Sequence, residues 1–354
     1  MSWFDLPSAG SLAVFFCGWL AGWFVFRRAR LLPHIELVRQ MTVSVVIPCR
    51  NEADNLKSLL PTVRSALSDA DEIIVVDDDS SDETVSIAEQ HGVVVLRAGA
   101  LPDGWTGKSH ACYVGARSAT RECLLFIDAD VRVGPHAITD VIGVLEQYPD
   151  AVVSAMPWHR TVGPIERLSM LFNAISAMVA SQGKTSGSRR VAYGPFLAVR
   201  RDTYVQTGGH SHVEVRGSIV DDLAFASVMP RAIAYIADKG QVEYRMYPQG
   251  VRQLWEGWTK NTAVGALSVP RLTTVLIVAW IISLCGGPFV SGWCYVLSAG
   301  QIAIMARRVG NFGLVSALTY PLHAVFFVVV SARSAVRSVV VGRVGWRGRT
   351  ITTR

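Results

Sequence analysis

The stretch LLFIDADV, Leu124 to Val131, decides the fold. An apolar run ends in two carboxylates one alanine apart. Such a run reads as a strand buried on both faces. A bare carboxylate is costly to bury unless something pairs with it. In an extended chain, residues i and i+2 share a side. Asp128 and Asp130 are therefore expected to converge on one spot, where something positive should meet them.

Working outward, VSVVIP (43–48) and EIIVVDDD (72–79) are further β-rich runs with polar ends. Between them, Leu56, Leu59, Leu60, Val63 and Leu67 recur at helical spacing. DETVSIAEQHG (82–92) reads as a helix closed by Gly92, VVVLRA (93–98) as a strand, and SHACYVGARSAT (109–120) as another helix. Alternating strands and helices define an α/β protein with a mostly parallel sheet covered on both faces. Ligands of such sheets bind beyond the carboxyl ends of the strands. The polar clusters Arg50–Glu52, Asp77–Asp79 and Asp128–Asp130 all fall there.

A basic patch, PDGWTGKS (102–109), precedes the helix expected from Ser109. Gly104 and Gly107 permit close backbone approach, and Lys108 adds a positive charge, which suits phosphate. The spacing is not that of a P-loop. Acids and a phosphate site together call for a divalent cation, Mg²⁺ or Mn²⁺, which prefers oxygen ligands.

The 354 residues carry a net charge of +6 and are 50% hydrophobic. The mean hydropathy of +0.32 favours a catalytic domain plus membrane segments over one large soluble domain. Six cysteines without a C-x-x-C pair read as reduced core or membrane residues. Ser8–Phe26 is uncharged, long enough to span a bilayer, and followed by Arg27, Arg28 and Arg30. A cleaved signal peptide carries its positive charge before the apolar run. The positive-inside rule puts residue 30 onward in the cytoplasm. Leu272–Val290, Ser291–Ala306 and Phe312–Ala332 are further candidate spans, the first two separated by Gly286, Gly287 and Pro288.

The tail carries Arg333, Arg337, Arg343, Arg347, Arg349 and Arg354 and no acid. It also belongs in the cytoplasm, which conflicts with a third crossing, so one segment is expected to be re-entrant or interfacial. Pro321 and His323 single out the last. The arginines suit anionic headgroups. Without an accompanying binding motif, nucleic acid is not an expected partner. The domains expected are an anchor at 1–30, a catalytic domain at 41–249, an interfacial amphipathic helix at 250–268, membrane helices at 272–332 and a basic tail at 333–354.

VSVVIPCRNEADNL, IIVVDDDSSDET, FIDADV, GPFLAVRRDTYVQTGGH and VDDLAFA, in this order, resemble the inverting GT-A glycosyltransferases of family 2. Within that family, GWTGKSHACYVGA, RMYPQGVRQLWEGWTKN, RRVGNF and GWRGR are similar to the membrane-bound 4,4'-diaponeurosporenoate glycosyltransferases, and more loosely to hopanoid-associated ones. The resemblance implies a Rossmann-like GT-A domain that takes a UDP-sugar. It implies a nucleotide held by Pro48, Arg50, Asn51 and Glu52, uracil read by Asp78, ribose near Asp128, metal on Asp130 and the diphosphate near Lys108. Asp222, with Asp221 beside it, stands where the family has its base. Asp79 replaces the usual glycine or small polar residue. The family's Q-x-x-R-W pattern is imperfect here, since Gln249 and Arg252 are followed by Trp255; the resemblance implies that Arg252 joins Lys108 in binding the nucleotide-sugar at its diphosphate. The reaction implied moves a hexose, glucose in the closer relatives, to a lipid acceptor such as a carotenoid acid, at the cytoplasmic membrane, with the catalytic domain facing the cytoplasm.

Other readings stay open. A strand ending in D-x-D also opens phosphatases with an aspartate nucleophile, although here two strand–helix units precede it. In 250–267, Val251, Leu254, Trp255 and Trp258 share one helical face, suited to a membrane interface or to packing on the catalytic domain. The stripe in 165–181 is core or an adaptable apolar groove. His210 is a residue near the acceptor or a loop stabiliser, and His110, His159 and His212 lack convincing zinc spacing.

Overall fold

The computed structural model describes residues 7–36, 38–180, 190–218, 220–267, 270–340, 343–346 and 349–352. In chain order, the elements begin α1 (Ala9–Phe26), β1 (Val43–Cys49), α2 (Ala53–Ser65), β2 (Glu72–Asp77), α3 (Thr84–Gln90), β3 (Val94–Arg97), α4 (Gly107–Ser118), β4 (Cys123–Ile127) and β5 (Val131–Val133). Next come α5 (Ala137–Gln147), β6 (Ala151–Met156), β7 (Trp158–His159), α6 (Met170–Ala180), β8 (Phe196–Arg200), α7 (Arg201–Thr207), α8 (Val213–Arg216), α9 (Asp221–Val228), β9 (Arg231–Ile236) and β10 (Val242–Tyr244). The remainder is α10 (Val251–Leu267), α11 (Arg271–Val290), α12 (Gly292–Val309), α13 (Gly313–Leu318) and α14 (Tyr320–Val340), then an antiparallel pair, β11 (Arg343–Trp346) and β12 (Arg349–Thr352).

The chain divides into two units. The first comprises residues 31–158 and 183–244, the second residues 1–30, 159–182 and 245–354. Segment 159–182, expected inside the catalytic domain, thus belongs with the helices.

The first unit is built on a sheet of order β3-β2-β1-β4-β8-β6-β9. β1 pairs in parallel with β2 and β4, β2 with β3, and β6 with β9. Only β8 runs against its neighbours, β4 and β6. The central strands are largely apolar because helices cover both faces: β4 is fully buried. The predicted stripe of α2 is seen, with Leu56, Leu59, Leu60 and Val63 buried, while Leu67 lies past the helix end. α4 packs on β1 and β2, where Gly115 leaves no room for a Cβ beside Val46. From β1 the chain moves outward through β2 to β3, then returns to β1's other side as β4. Loops after β1 and β4 therefore diverge and leave a crevice at the carboxyl ends of the strands.

In the second unit, α1, α11 and α12 pack side by side, each antiparallel or parallel by register. Phe15 lies by Gly287 and Gly18 by Ala279 and Ser283, so α1 and α11 are antiparallel. Trp280 Nε1 donates to Gln301 Oε1 at 2.8 Å, and Gln301 Nε2 donates to the Trp19 carbonyl at 2.8 Å. This buried polar bridge ties all three helices. The register gathers Arg27, Arg28, Arg271, Arg307 and Arg308 at one end of the bundle. α1 and α11 are each long and apolar enough to cross a membrane.

Gly18 and Gly22 form a small-xxx-small face. A Cβ at Gly18 would collide with the Ala279 carbonyl, and one at Gly22 with the Trp280 indole. Gly22→Leu is expected to cost at least about 2 kcal/mol through overpacking, read as a lowered Tm in detergent. An unchanged Tm would show that the seam is loose.

Three expectations are corrected here. Gly286, Gly287 and Pro288 do not break the helix: α11 runs to Val290, and the break comes at Ser291, whose hydroxyl caps α12 by accepting from Cys294 N at 3.2 Å. Phe312–Ala332 is not one span. It breaks at Thr319, and Pro321 sits in the first turn of α14, where its missing N–H costs no helical bond. Finally, part of the apolar face of α10 is covered by its own unit, while Val251 stays exposed. Leu254 and Trp258 are buried against Phe172 of α6 and Val330 of α14, with Trp258 stacked on Phe172 at 4.5 Å.

α13 runs back along α12. Gly310 N bonds to Ala306 in the last turn of α12, while the Leu318 carbonyl accepts from Tyr295 OH in its first turn. Of the tail arginines, Arg347 and Arg354 lie outside the described residues, and only the backbone of Arg337, Arg343 and Arg349 is described.

Candidate active site

The crevice is built from four strand ends of the first unit. After β1, Asn51 adopts a left-handed backbone (φ 54°), and after β2 so does Asp79 (φ 63°). Asparagine and aspartate tolerate this conformation better than most residues, which explains how Asp79 holds a turn where glycine is usual. The two loops are stitched together. Asp78 N donates to the Cys49 carbonyl at 2.8 Å, Asn51 N to Ser80 Oγ at 2.9 Å, and Ser81 N to Asn51 Oδ1 at 2.8 Å. Glu52 N donates to Thr84 Oγ1 at 2.9 Å, and its carboxylate accepts from Asn55 at 2.6 Å. Arg50 NH1 lies 3.7 Å from Asp78 Oδ2. Pro48, within β1, pairs with Val76 in register. These residues form one continuous wall.

At the end of β4 the geometry departs from the extended reading. The strand stops at Ile127, and Val131 N bonds back to the Asp128 carbonyl at 3.1 Å, which makes 128–131 a turn. Asp130 sits inside that turn, so strand alternation does not carry its side chain beside Asp128. The expected positive partner is present. Lys108 Nζ lies 2.7 and 3.0 Å from the two oxygens of Asp128 and 3.9 Å from Asp221 Oδ2. Desolvation pulls the Lys108 pKa down, but the charges of Asp128 and Asp221 prevail and hold it well above the ordinary lysine value. α4 starts at Gly107, two residues before Ser109, because Thr106 caps it by accepting from Ser109 N at 3.3 Å.

Asp221 and Asp222 open α9. Asp222 Oδ2 accepts from Gly194 N at 3.0 Å, and Oδ1 from Leu223 N at 2.8 Å. Burial, then the charge of Asp221, pushes the Asp222 pKa up to about 6. A carboxylate poised there suits proton transfer near neutrality. Beneath lies an apolar floor of Phe126, Leu197 and Phe225. His210 is buried in it, stacked on Phe225 at 4.8 Å and bonded to Tyr204 OH at 3.1 Å; burial lowers its pKa to about 4. It makes the loop-stabilising bond and also lines the cavity shared by Asp128, Asp221 and Asp222.

The other histidines also do structural work: His110 packs edge-on to Trp105, His212 accepts from Glu214 N at 3.3 Å, and His159, in the second unit, bonds Asn173 at 3.0 Å. Arg252, in the second unit, is 92% exposed and pairs with Glu256 one turn on at 3.1 Å. All six cysteines are free thiols.

Gly194 escaped the sequence reading. β8 inserts antiparallel beside β4, with Asp128 N bonded to the Pro195 carbonyl at 3.1 Å, and so carries Gly194 to the carboxylate of Asp222. The glycine ahead of FLAVR was the available signal. A Cβ at Gly194 would sit 3.3 Å from both Asp222 Cβ and Lys108 Nζ. Gly194→Ala is expected to lower kcat/KM about tenfold by misplacing them, with thermal unfolding unchanged. Wild-type kinetics would deny the crowding any effect.

Among the described residues no group of three or more His, Cys, Asp or Glu forms a ready metal centre. The crevice offers carboxylate oxygens, the donors a hard divalent cation prefers. Such an ion, held by one or two carboxylates, takes its remaining ligands from water and substrate phosphates. The residues fit it together with a diphosphate, not as a protein-only cage.

The mostly parallel sheet thus carries a crevice at its switch point, walled by a β1–β2 loop pair and an Asp–Lys–Asp–Asp cluster. Residues 44–206 match the family Glycosyl transferase family 2. The chain carries a family 2 domain in the GT-A fold, and the protein is a glycosyltransferase. It is 29% identical over 362 residues to the 4,4'-diaponeurosporenoate glycosyltransferase of Staphylococcus haemolyticus (strain JCSC1435), covering 95% of this chain and 96% of that one. The protein of the same description from Staphylococcus aureus (strain USA300) is 28% identical over 348 residues, covering 91% and 92%. Among solved structures, the mannosyltransferase PcManGT from Pyrobaculum calidifontis, in complex with GDP-Man and Mn²⁺, superposes with a TM-score of 0.57 at 17% identity, over 93% of this chain and 96% of that one. That likeness concerns the fold.

Proposed function

We propose that the protein transfers glucose from UDP-glucose, with inversion, to the carboxylate of a carotenoid acid in the bilayer. The observation that carries this reading is the crevice in which Lys108 and Asp128 face Asp221 and an Asp222 poised near neutrality. The name shared by relatives that match nearly the whole chain supports the acceptor class. In this reading the loops around Arg50–Glu52 and Asp78 hold the nucleotide, Asp128 lies by the ribose and Asp130 holds Mg²⁺ or Mn²⁺. When bound, that ion supplies charge stabilisation to the leaving diphosphate. Lys108 adds a second positive charge at the same place. Asp222 accepts a proton where the acceptor is a hydroxyl. A carotenoid carboxylate is already ionised, so with it Asp222 serves to orient sugar hydroxyls.

Exposed apolar side chains on α1, α11 and α12, such as Leu20, Val278 and Val296, suit lipid contact. The arginine-rich end of the bundle then faces the cytoplasm. α13, doubling back along α12, is the re-entrant element that lets the basic tail stay on that side.

The test uses membranes from an expressing host, incubated with radiolabelled UDP-glucose, Mn²⁺ and carotenoid-containing lipid extract. Label should enter a lipid that mild alkali cleaves, as a glucosyl ester requires. Alkali-stable label would move the acceptor to a hydroxyl, as on a hopanoid. No transfer of label would overturn the reading.

A further inference from the structure

The turn Gly208-Gly209-His210 builds a holder for one imidazole. Both glycines adopt a left-handed backbone, with φ of 79° and 50°. A Cβ at Gly209 would strike the Tyr204 ring, so glycine is what lets the loop fold down onto that ring. The turn brings His210 N to the Tyr204 hydroxyl at 3.1 Å, and His210 Nδ1 to the same oxygen at 3.1 Å. The imidazole is stacked on Phe225 at 4.8 Å, and Phe126 packs against it edge-on at 4.7 Å. Its plane and its rotation are both fixed.

This pattern also fixes the proton. Among the described residues, the buried Tyr204 hydroxyl has no acceptor other than Nδ1. A buried hydroxyl is expected to donate, so Nδ1 receives that proton and the ring's own proton sits on Nε2. Burial keeps the ring neutral, its pKa lowered to about 4.

The same cavity holds a group in need of a donor. The Asp221 side chain is 13% exposed, and its ammonium neighbour, Lys108 Nζ, lies 3.9 Å away, beyond hydrogen-bond reach. Among the described residues, none donates a hydrogen bond to its carboxylate. Asp222 differs, since Gly194 N and Leu223 N occupy its two oxygens. A largely buried carboxylate without donors is costly. The cavity lined by His210, Asp221 and Lys108 measures about 10 Å³, room for one water molecule.

We propose that His210 is a positioning residue for Asp221: its Nε2–H, turned into this cavity, donates to a single buried water that in turn donates to the Asp221 carboxylate. This rests on the crevice as the site of transfer and adds a support beneath it. A neutral donor holds the carboxylate without offsetting its charge. That charge is left to act on Lys108 and on Asp222, whose pKa it helps raise to about 6.

The experiment labels the full-length protein in detergent with ¹⁵N-histidine and records long-range ¹H–¹⁵N spectra, which distinguish the two neutral tautomers. Loss of signals in His210→Gln identifies those of His210. In wild type they should show the Nε2–H tautomer, and stay neutral as pH falls through about 6.5, where an ordinary histidine charges. Asp221→Asn should shift the Nε2–H proton signal, because a neutral amide accepts more weakly than a carboxylate. Asp130→Ala, outside the cavity's lining, should leave it in place. His210→Phe, which keeps the ring stack, should lower kcat about tenfold through a misplaced Asp221, with UDP affinity unchanged. His210→Gln, which restores an N–H at similar reach, should recover part of that loss.

An Nδ1–H or charged His210 in wild type would overturn the proposal, and that arm needs no variant to fold. So would an Nε2–H signal indifferent to Asp221→Asn, or a His210→Phe protein of wild-type thermal stability and wild-type kcat. Equal losses in His210→Phe and His210→Gln would overturn the donor role and leave a loop stabiliser. Both spectral signatures in a wild type that moves no glucose would sink the donor and acceptor assignment alone.

Discussion

Asp130→Ala is expected to reduce transfer by about a hundredfold to a thousandfold, the range seen when a preorganised charge partner of a leaving group is removed. The loss should fall on kcat, because the charge that needs stabilising develops as the diphosphate departs. Lipid-extractable label from UDP-glucose, measured across a Mn²⁺ series, reads it: the variant's residual rate should be flat where wild type rises. Asp128→Ala should differ in kind. Asp128 is the seat of Lys108, so its loss should mainly weaken UDP binding and leave some Mn²⁺ response. Parental UDP and Mn²⁺ binding in both variants would reduce the pair to a turn, the role that the Val131 N to Asp128 O bond already shows.

The second large effect is conditional on the acceptor. With a hydroxyl acceptor, Asp222→Asn should lose about a hundredfold to ten-thousandfold, the usual contribution of a general base. With a carboxylate acceptor the loss should stay within about tenfold. The pH dependence follows from the raised pKa of about 6. Asp222 accepts a proton only when ionised, so transfer to a hydroxyl should fall as pH drops through about 6. Transfer to a carboxylate should lack that limb until the acceptor itself protonates. Near-total loss in Asp222→Asn with a carotenoid acid, at unchanged donor affinity, would refute the division of roles.

Much of the fold was legible because burial on both faces writes itself as runs rich in Val, Ile and Leu, and because acids follow the ends of β1, β2 and β4. The stripe of α2 followed from spacing alone. What strand logic could not supply was the path after the strand. Two aspartates at i and i+2 look convergent only if the chain stays extended, and a single turn hydrogen bond at Asp128 ends that. Gly194 was invisible for a different reason. Its importance comes from β8, the strand that runs backwards in the seven-stranded sheet, whose position beside β4 is a fact of topology with no local signature. Trp258 misled in the same way. A tryptophan on an amphipathic face looks the same whether lipid or Phe172 covers it, and only the packing partner, 4.5 Å away, tells them apart. Gly286 to Pro288 read as a break because proline and glycine punctuate helices, yet Pro288 falls in the final turn and the capping serine sets the boundary.

The seam between Gly18, Gly22 and Trp280 bears on how the protein can be handled. An N-terminal apolar helix invites removal as a tether. Here it is a wall: Phe15 and Val25 are buried, and the Trp19 carbonyl takes one amide proton of Gln301. Trimming the first thirty residues would strip one side of Trp280 and leave that amide without its acceptor. The shortened protein should gain stickiness rather than solubility, since an apolar furrow would lie open where α1 had been.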